Sequence, residues 1–221
     1  MTGAGTPNRS DGTVTGGRYA TDMTRPPRWI TDTQPGHSRW YIERFRTMAA
    51  DGADLAGEAR FMDALVPPGS RILDAGCGPG RVGGELHRRG HRVVGVDVDP
   101  ELIAAAGIDH PGPTWLCGDL AELDLTTAGI TQMQDAAVVA GNVMTFLAEG
   151  SEAEVLRRLG RHVRSDGPIA IGFGLGRGYS LEAFDTDIAA AGLRIDQRFG
   201  TWDLRPFTTG SDFAVTVLRV P

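Results

Sequence analysis

From residue 71 onward the chain alternates short apolar runs with amphipathic stretches. Arg71-Ile72-Leu73-Asp74, Val93-Val94-Gly95-Val96-Asp97, Thr114 to Asp119, Ala136 to Gly141 and Pro168 to Phe173 each read as a strand. Strands apolar along their whole length imply a parallel sheet covered on both faces. The stretches between them read as helices. One carries Val82 and Leu86 and closes at Gly90, one opens at Pro100, and one over residues 151–164 uses Val155, Leu159 and Val163. After a helix around 180–191, two strand-like segments near 193–202 and 212–220 are joined only through Thr208-Thr209-Gly210-Ser211 and its neighbours. A link that short cannot make a parallel crossover, so the last two strands should pair antiparallel. The pattern predicts a seven-stranded mixed sheet with one antiparallel strand and helices on both faces.

Upstream the period is helical. Tyr41, Phe45 and Met48 recur at i, i+4 and i+7, beside Trp40; Leu55, Ala59, Met62 and Leu65 make a second apolar stripe. Asp54 and Glu58 lie on the outer or N-terminal side of that second helix, where the helix dipole favours acid. Pro67-Pro68-Gly69 stops it. Residues 1–26 are polar and Gly/Thr-rich, too poor in large apolar side chains to offset ordering entropy, and read as a disordered leader. The expected organisation is a leader over 1–26, an N-terminal helical lid over 27–66, and a ligand-binding domain over 67–221.

Composition narrows the classes of function. A chain of 221 residues, 41% hydrophobic and 23% charged, supports one well-buried core. No apolar run is long enough to span a membrane, and the N-terminus has no secretory h-region, so the default compartment is the cytoplasm. Net charge is −6 and all 22 basic residues are arginine. An acidic balance without a basic run argues against nucleic acid as the main partner. Cys77 and Cys117 have no metal-ligand spacing and read as free thiols that pack as small residues.

The informative segment is Asp74-Ala75-Gly76-Cys77-Gly78-Pro79-Gly80, between a buried strand and a helix N-terminus. Glycine admits positive φ and close ligand approach, and the exposed N–H groups of the helix start add partial positive charge. A nucleotide-like ligand fits across such a turn. The dinucleotide fingerprint would need a third glycine at position 81, which is Arg81. A Walker A loop would need a lysine, and the chain has none. Asp97 ends the second strand, where a carboxylate can accept from both ribose hydroxyls; Asp119 ends the third, where it can accept from the adenine amine. The plain alternative for each is a turn acid.

The runs ILDAGCGPG, VVGVDVDPELI and LCGDL resemble the class I S-adenosylmethionine-dependent methyltransferases. The resemblance covers about residues 55–221 in element order, with the specific motifs in 71–120. It implies a Rossmann-like α/β fold with strand order 3-2-1-4-5-7-6 and strand seven antiparallel. It also implies S-adenosyl-L-methionine as cofactor and S-adenosyl-L-homocysteine as product. By position, Gly76, Gly78 and Gly80, with Cys77 between them, would line the methionine and ribose. Asp97 would hold the ribose hydroxyls and Val98 flank the adenine, while Asp119 and the Leu120 backbone would read its edge. Asn142 would face the transferring methyl. Asp74 would order the loop, in some members through water to the ligand ammonium.

The expected partner is a small-molecule acceptor, methylated at O, N or S, with a homodimer as the oligomer to test. Ligands in open α/β sheets bind at the strand carboxyl ends. That nominates Met144, Phe146, Arg177, Tyr179 and Trp40 for the acceptor, with Trp202 as a further candidate, and His37 or Tyr41 as base or positioning group. Arg177 either clamps an anionic acceptor or is a solvated loop charge. His87, His91, His110 and His162 fall away from those ends and read as structural. No Asn/Asp-Pro-Pro-aromatic motif follows strand four, as it does in amino-methylating DNA and glutamine enzymes. Neither the Pro-Cys pair of pyrimidine C5 chemistry nor the carboxylate set of the metal-dependent catechol type is visible. Two other classes stay open at this level: a nicotinamide oxidoreductase on the same fold, and a non-catalytic cofactor-binding module. A pocket plugged by Trp40 or Met144 would favour the module.

Overall fold

A computed structural model describes residues 25–221. The expectation of a disordered leader therefore falls almost wholly outside the described residues. The elements run α1 (Arg28–Thr31), α2 (His37–Ala50), α3 (Gly57–Leu65), β1 (Arg71–Ala75), α4 (Arg81–Arg88), β2 (Arg92–Asp97), α5 (Pro100–Asp109) and β3 (Thr114–Cys117). Two 3₁₀ turns follow (Leu120–Glu122 and Leu125–Ala128), then β4 (Ala136–Val139), α6 (Val143–Phe146), α7 (Glu152–His162), β5 (Pro168–Gly174), α8 (Leu181–Ala190), β6 (Arg194–Phe199) and β7 (Phe213–Arg219). The sheet order is β3-β2-β1-β4-β5-β7-β6. β7 pairs antiparallel with both β5 and β6, while β1 to β5 are parallel throughout. The last two strands pair antiparallel as expected, although the link between them, residues 200–212, is longer than the sequence pattern suggests and is not too short for a crossover.

The period-2 alternation of the strands divides the core in two. Leu73, Val139 and Ile171 point to one face and meet Val155, Leu159 and Phe184 of α7 and α8. Their neighbours Ile72, Val138 and Ala170 point to the other face and meet Phe61 and Met62 of α3 and Val82 and Leu86 of α4. Each such side chain contributes about 1.5–3 kcal/mol by leaving water. α3 is thus one of the helices that cover the sheet, and only α1 and α2 remain to stand over the carboxyl ends of the strands. In α2 the buried residue is Ile42, packed on Leu102 and Ala105 of α5, with Tyr41 and Trp29 alongside. Among the described residues no helix is long and apolar enough to cross a membrane.

Two local readings change. β3 stops at Cys117, because Gly118 and Asp119 turn the chain and the Asp119 side chain caps the next 3₁₀ turn through the Ala121 N–H at 2.8 Å. Glu58 lies in the first turn of α3, on the N-terminal side as expected, and its carboxylate makes a two-pronged ion pair with Arg81 at 2.6 and 2.8 Å. Trp202 packs against Phe61 and over Gly172, on the α3 side of the sheet, away from the glycine loop.

Candidate active site

β1 and β4 are neighbours in a sheet whose strand order reverses between them, and a crevice opens outside their carboxyl ends. It holds about 810 Å³, counting its open mouth. The floor comes from the turns after four strands: Gly76 to Gly78 after β1, Asp97 and Val98 at β2, Asp119 and Leu120 after β3, Ala140 and Gly141 after β4. The roof comes from Trp29 of α1, Tyr41 and Phe45 of α2, and Phe146 of α6. Trp29 stands edge-on to Tyr41 and to Phe146, each at 5.4 Å between ring centroids.

Two glycines of the loop need to be glycine, for different reasons. Gly76 has φ +76°, and a Cβ there would lie 2.3 Å from Val143 of α6, so the loop and α6 close on each other only without a side chain. Gly78 has φ +55° and open space before it; the nearest atom a Cβ would meet is Tyr41 Cε1 at 3.7 Å. Its missing side chain is room in the cavity. The Gly78 N–H donates to Asp97 Oδ2 at 2.8 Å, and the Asp99 N–H to Asp97 Oδ1 at 3.0 Å, so the strand-end carboxylate and the glycine loop fix each other.

Charge in the cavity is predominantly negative. Asp74 is 1% exposed and accepts from the Gly83 N–H at 2.8 Å. Burial pushes its carboxyl up to about 7, offset only in part by that bond and the Arg81 charge. Burial likewise pushes Asp97 up to about 6 against its backbone hydrogen bonds, and raises Asp119. Arg81 is the guanidinium in the wall, and it is consumed by Glu58, the Leu55 carbonyl and the Phe45 face at 5.3 Å. Burial alone would push Glu58 up, but the Arg81 bonds and charge bring its carboxyl below the ordinary value. Burial also raises the Tyr41 phenol and the Cys77 thiol, so both are neutral at physiological pH. Cys77 and Cys117 are free.

Of the residues nominated from sequence, Tyr41, Asp74, Gly76, Cys77, Gly78, Asp97, Val98, Asp119, Leu120 and Phe146 come together on this cavity. The others do not, each for a physical reason. Gly80 packs under α5 and Trp115. His37 stands behind Trp29, with ring centroids 4.9 Å apart, outside the lining. Trp40 points outward, 54% exposed, against the Arg44 guanidinium. Met144 is fully buried in the core, and Tyr179 is buried with its hydroxyl on Asp187 at 2.7 Å. Neither Trp40 nor Met144 plugs the cavity. Asn142, at φ +67°, accepts from the Gly174 N–H at 2.8 Å and lines a second, shallower hollow with Gly174, Gly176, Arg177, Asp212 and Phe213. Sequence reasoning missed Trp29, Arg81 and Val143. For Trp29 the available signal was Pro26-Pro27 just before it, a helix start rather than the end of a leader.

Three carboxylates beside an already paired guanidinium suit a ligand with positive charge, vicinal hydroxyls and an exocyclic amine, and the Gly78 opening admits it against the backbone. Those are the groups of S-adenosylmethionine, so the residues present fit that cofactor.

Comparison with known proteins agrees. The model of a methyltransferase domain matches residues 72–167. The chain is 44% identical to a TehB-like SAM-dependent methyltransferase from Corynebacterium glutamicum, over 85% of this chain and all of that one, with a TM-score of 0.79. An uncharacterized methyltransferase of Mycobacterium tuberculosis is 32% identical over 113 residues, 50% of this chain and 54% of its own. A magnesium-protoporphyrin O-methyltransferase of Rhodobacter capsulatus is 55% identical over 68 residues, 29% of this chain and 30% of its own. The match thus spans about half the length of the mycobacterial relative and less of the other. At 44% identity over the whole of the Corynebacterium protein, the chain belongs to the S-adenosylmethionine-dependent methyltransferases and takes S-adenosylmethionine as its cofactor.

Proposed function

We propose that this methyltransferase acts on a small molecule, at an oxygen, nitrogen or sulfur, by in-line transfer under the aromatic roof. The observation that carries the reading is the roof itself. Trp29, Tyr41, Phe45 and Phe146 close over the crevice from elements that also line its wall, which leaves a compact apolar approach instead of an open basic face. When bound, S-adenosylmethionine supplies an electrophilic methyl group on a sulfonium. Asp97 holds the ribose hydroxyls, with its carboxylate already aimed by Gly78 and Asp99. Asp119 has one oxygen on the Ala121 N–H and turns the other to the adenine amine. Asp74 orders the loop from below, through its bond from the Gly83 N–H. Such preorganisation lowers the ordering cost of binding.

Tyr41 takes the positioning role on the acceptor side. Its ring lies against Gly78, and its hydroxyl is 3.7 Å from where a Cβ on Gly141 would stand, at the carboxyl end of β4. A phenol raised by burial donates a hydrogen bond at neutral pH and does not take a proton, so it orients the acceptor and is not the base. The acceptor therefore arrives as a competent nucleophile, and the chain contributes alignment and exclusion of water. Arg177, on the neighbouring hollow, is the group available for an acceptor with an anionic tail.

The test is calorimetric titration with S-adenosylmethionine, S-adenosylhomocysteine and NAD, repeated on Asp97→Ala, followed by methyl-transfer assays on panels of small thiols, amines and phenols beside protein and RNA. Turnover confined to small acceptors supports the reading; turnover only on macromolecules overturns it.

A further inference from the structure

Asp99 carries more hydrogen bonds than a helix cap requires. It lies between β2 and α5 and is 6% exposed. Its Oδ1 accepts from the Glu101 N–H at 2.8 Å and the Leu102 N–H at 3.4 Å, the ordinary work of an N-cap ahead of Pro100. Its Oδ2 points the other way, to the roof, and accepts from the Trp29 indole N–H at 2.9 Å and from the Ser38 hydroxyl. Its own N–H donates to Asp97. One carboxylate thus joins α1, α2 and α5, and its backbone continues through Asp97 to the glycine loop.

The roof needs such an anchor. α1 has four residues and none of them is buried, and a helix that short does not hold itself in water. Besides Asp99, two guanidinium bonds reach backbone, Arg28 Nε to the Leu147 carbonyl at 3.2 Å and, just ahead of the helix, Arg25 Nη1 to the Glu149 carbonyl at 3.4 Å, and the Trp29 ring packs edge-on against His37, Tyr41 and Phe146. Trp29 has one N–H to donate, and it goes to Asp99. Trp29 forms part of the roof of the crevice, so its position sets how wide the entrance stands for a ligand as large as the cofactor.

We propose that Asp99 is a positioning residue that latches Trp29 over the cofactor cavity, and that release of this latch gates cofactor ingress and product egress. The inference rests on the cavity being the cofactor site.

Asp99→Asn isolates the latch. Asparagine keeps an oxygen for Glu101 and Leu102 and is as good an N-cap as aspartate. It presents an NH₂ group to the Trp29 N–H, donor against donor. Rates of S-adenosylhomocysteine binding and release are read by stopped flow on the full chain. Release from Asp99→Asn should be faster by roughly ten- to a hundredfold, the worth of a hydrogen bond to a charged group, and association should not slow. Trypsin should cut the ligand-free variant after Arg28 sooner than the wild type. Trp29→Phe removes the donor while keeping the ring and both capping bonds, so it carries the test should Asp99→Asn fold poorly. It should accelerate release in the wild type and add nothing in the Asp99→Asn background, because the two residues act through one bond. Wild-type release rates in both single variants, or additive effects in the double, would overturn the latch. Failure of the wild type to bind S-adenosylhomocysteine would instead overturn the reading of the cavity, and the latch with it.

Discussion

Gly76 and Gly78 are two residues apart in one loop, yet alanine at each should fail in opposite ways. At Gly76 the new methyl would stand 2.3 Å from Val143 Cγ2 and 2.7 Å from Cγ1, on a backbone at φ +76°. The left-handed conformation costs roughly 1–2 kcal/mol and the overpacking about 1–3 kcal/mol more. Gly76→Ala should therefore lose about 2–5 kcal/mol, which lowers the thermal midpoint by roughly 4–20 °C for a domain of this size. At Gly78 the backbone strain is similar but the nearest atom is Tyr41 Cε1 at 3.7 Å, so the methyl meets no protein. Gly78→Ala should lose only about 1–2 kcal/mol of stability, yet its methyl occupies cavity space. S-adenosylhomocysteine should bind roughly five- to a hundredfold more weakly, from about 1–3 kcal/mol of crowding. Differential scanning calorimetry and isothermal titration on both variants decide it. Near-wild-type affinity in Gly78→Ala, or a Gly76→Ala protein as stable as the wild type, would refute the assignment of one glycine to packing and the other to the ligand.

Asp74 and Asp97 have folded-state values raised to about 7 and about 6 from 3.8, so their contribution to ligand-free stability is fully present below pH 3.8 and is lost as pH rises through 6–7. Thermal midpoints of wild type minus Asp74→Asn across pH 5–8 should fall with rising pH, and a pH-independent difference would contradict the buried carboxyl. Glu58→Gln leaves the Arg81 guanidinium, whose side chain is 18% exposed, without its partner; urea unfolding should show a loss of about 3 kcal/mol, most of it regained in Glu58→Gln with Arg81→Met. Tyr179→Phe leaves Asp187 without its buried hydroxyl partner and should cost about 1–3 kcal/mol, with S-adenosylhomocysteine affinity unchanged because the ring packs with Phe173 and Phe184 away from the cavity.

What was legible in the sequence is what local pattern encodes. β1, β2, β4 and β5 are apolar over most of their length, so their burial on two faces and their parallel pairing follow without knowledge of neighbours. Strand-end acids and loop glycines are fixed by the covalent chain, and Asp74, Gly76, Gly78 and Asp97 accordingly converge on one crevice. Residues placed by distant partners were not legible. Tyr179 follows a Gly-rich loop and reads as a pocket residue until Asp187, eight positions on, claims its hydroxyl. Met144 sits one residue from the cavity wall, but the turn of α6 sends it into the core while Val143 and Phe146 line the cavity. Glu58 and Arg81, 23 positions apart, betray their pairing only once α3 lies against α4. α1 is too short to show a period at all.

This division has a consequence for where specificity is carried. The floor of the site is made of strand ends and backbone N–H groups, and the family match runs over it, residues 72–167, from β1 to the turn before β5. The roof comes largely from α1 and α2, upstream of that stretch, and is held by side chains: the Trp29 and Ser38 bonds to Asp99, the Arg25 and Arg28 bonds to carbonyls, the Arg46 pair with Asp109, and Ile42 packed on α5. A floor set by backbone geometry tolerates little change, since the Gly76 contact with Val143 and the Asp97 bridge to Gly78 leave no slack. A roof held by side chains on α5 and on loops can be remodelled without disturbing the sheet. Acceptor choice in this chain should therefore respond to exchange of Trp29, Tyr41 and Phe45, while cofactor choice should not. A chimera with the floor of this chain and residues 25–55 of a relative should still take S-adenosylmethionine and should take the relative's acceptor. A chimera that kept the acceptor range of this chain would place specificity on the β4 and β5 loops, around Asn142 and Arg177, instead.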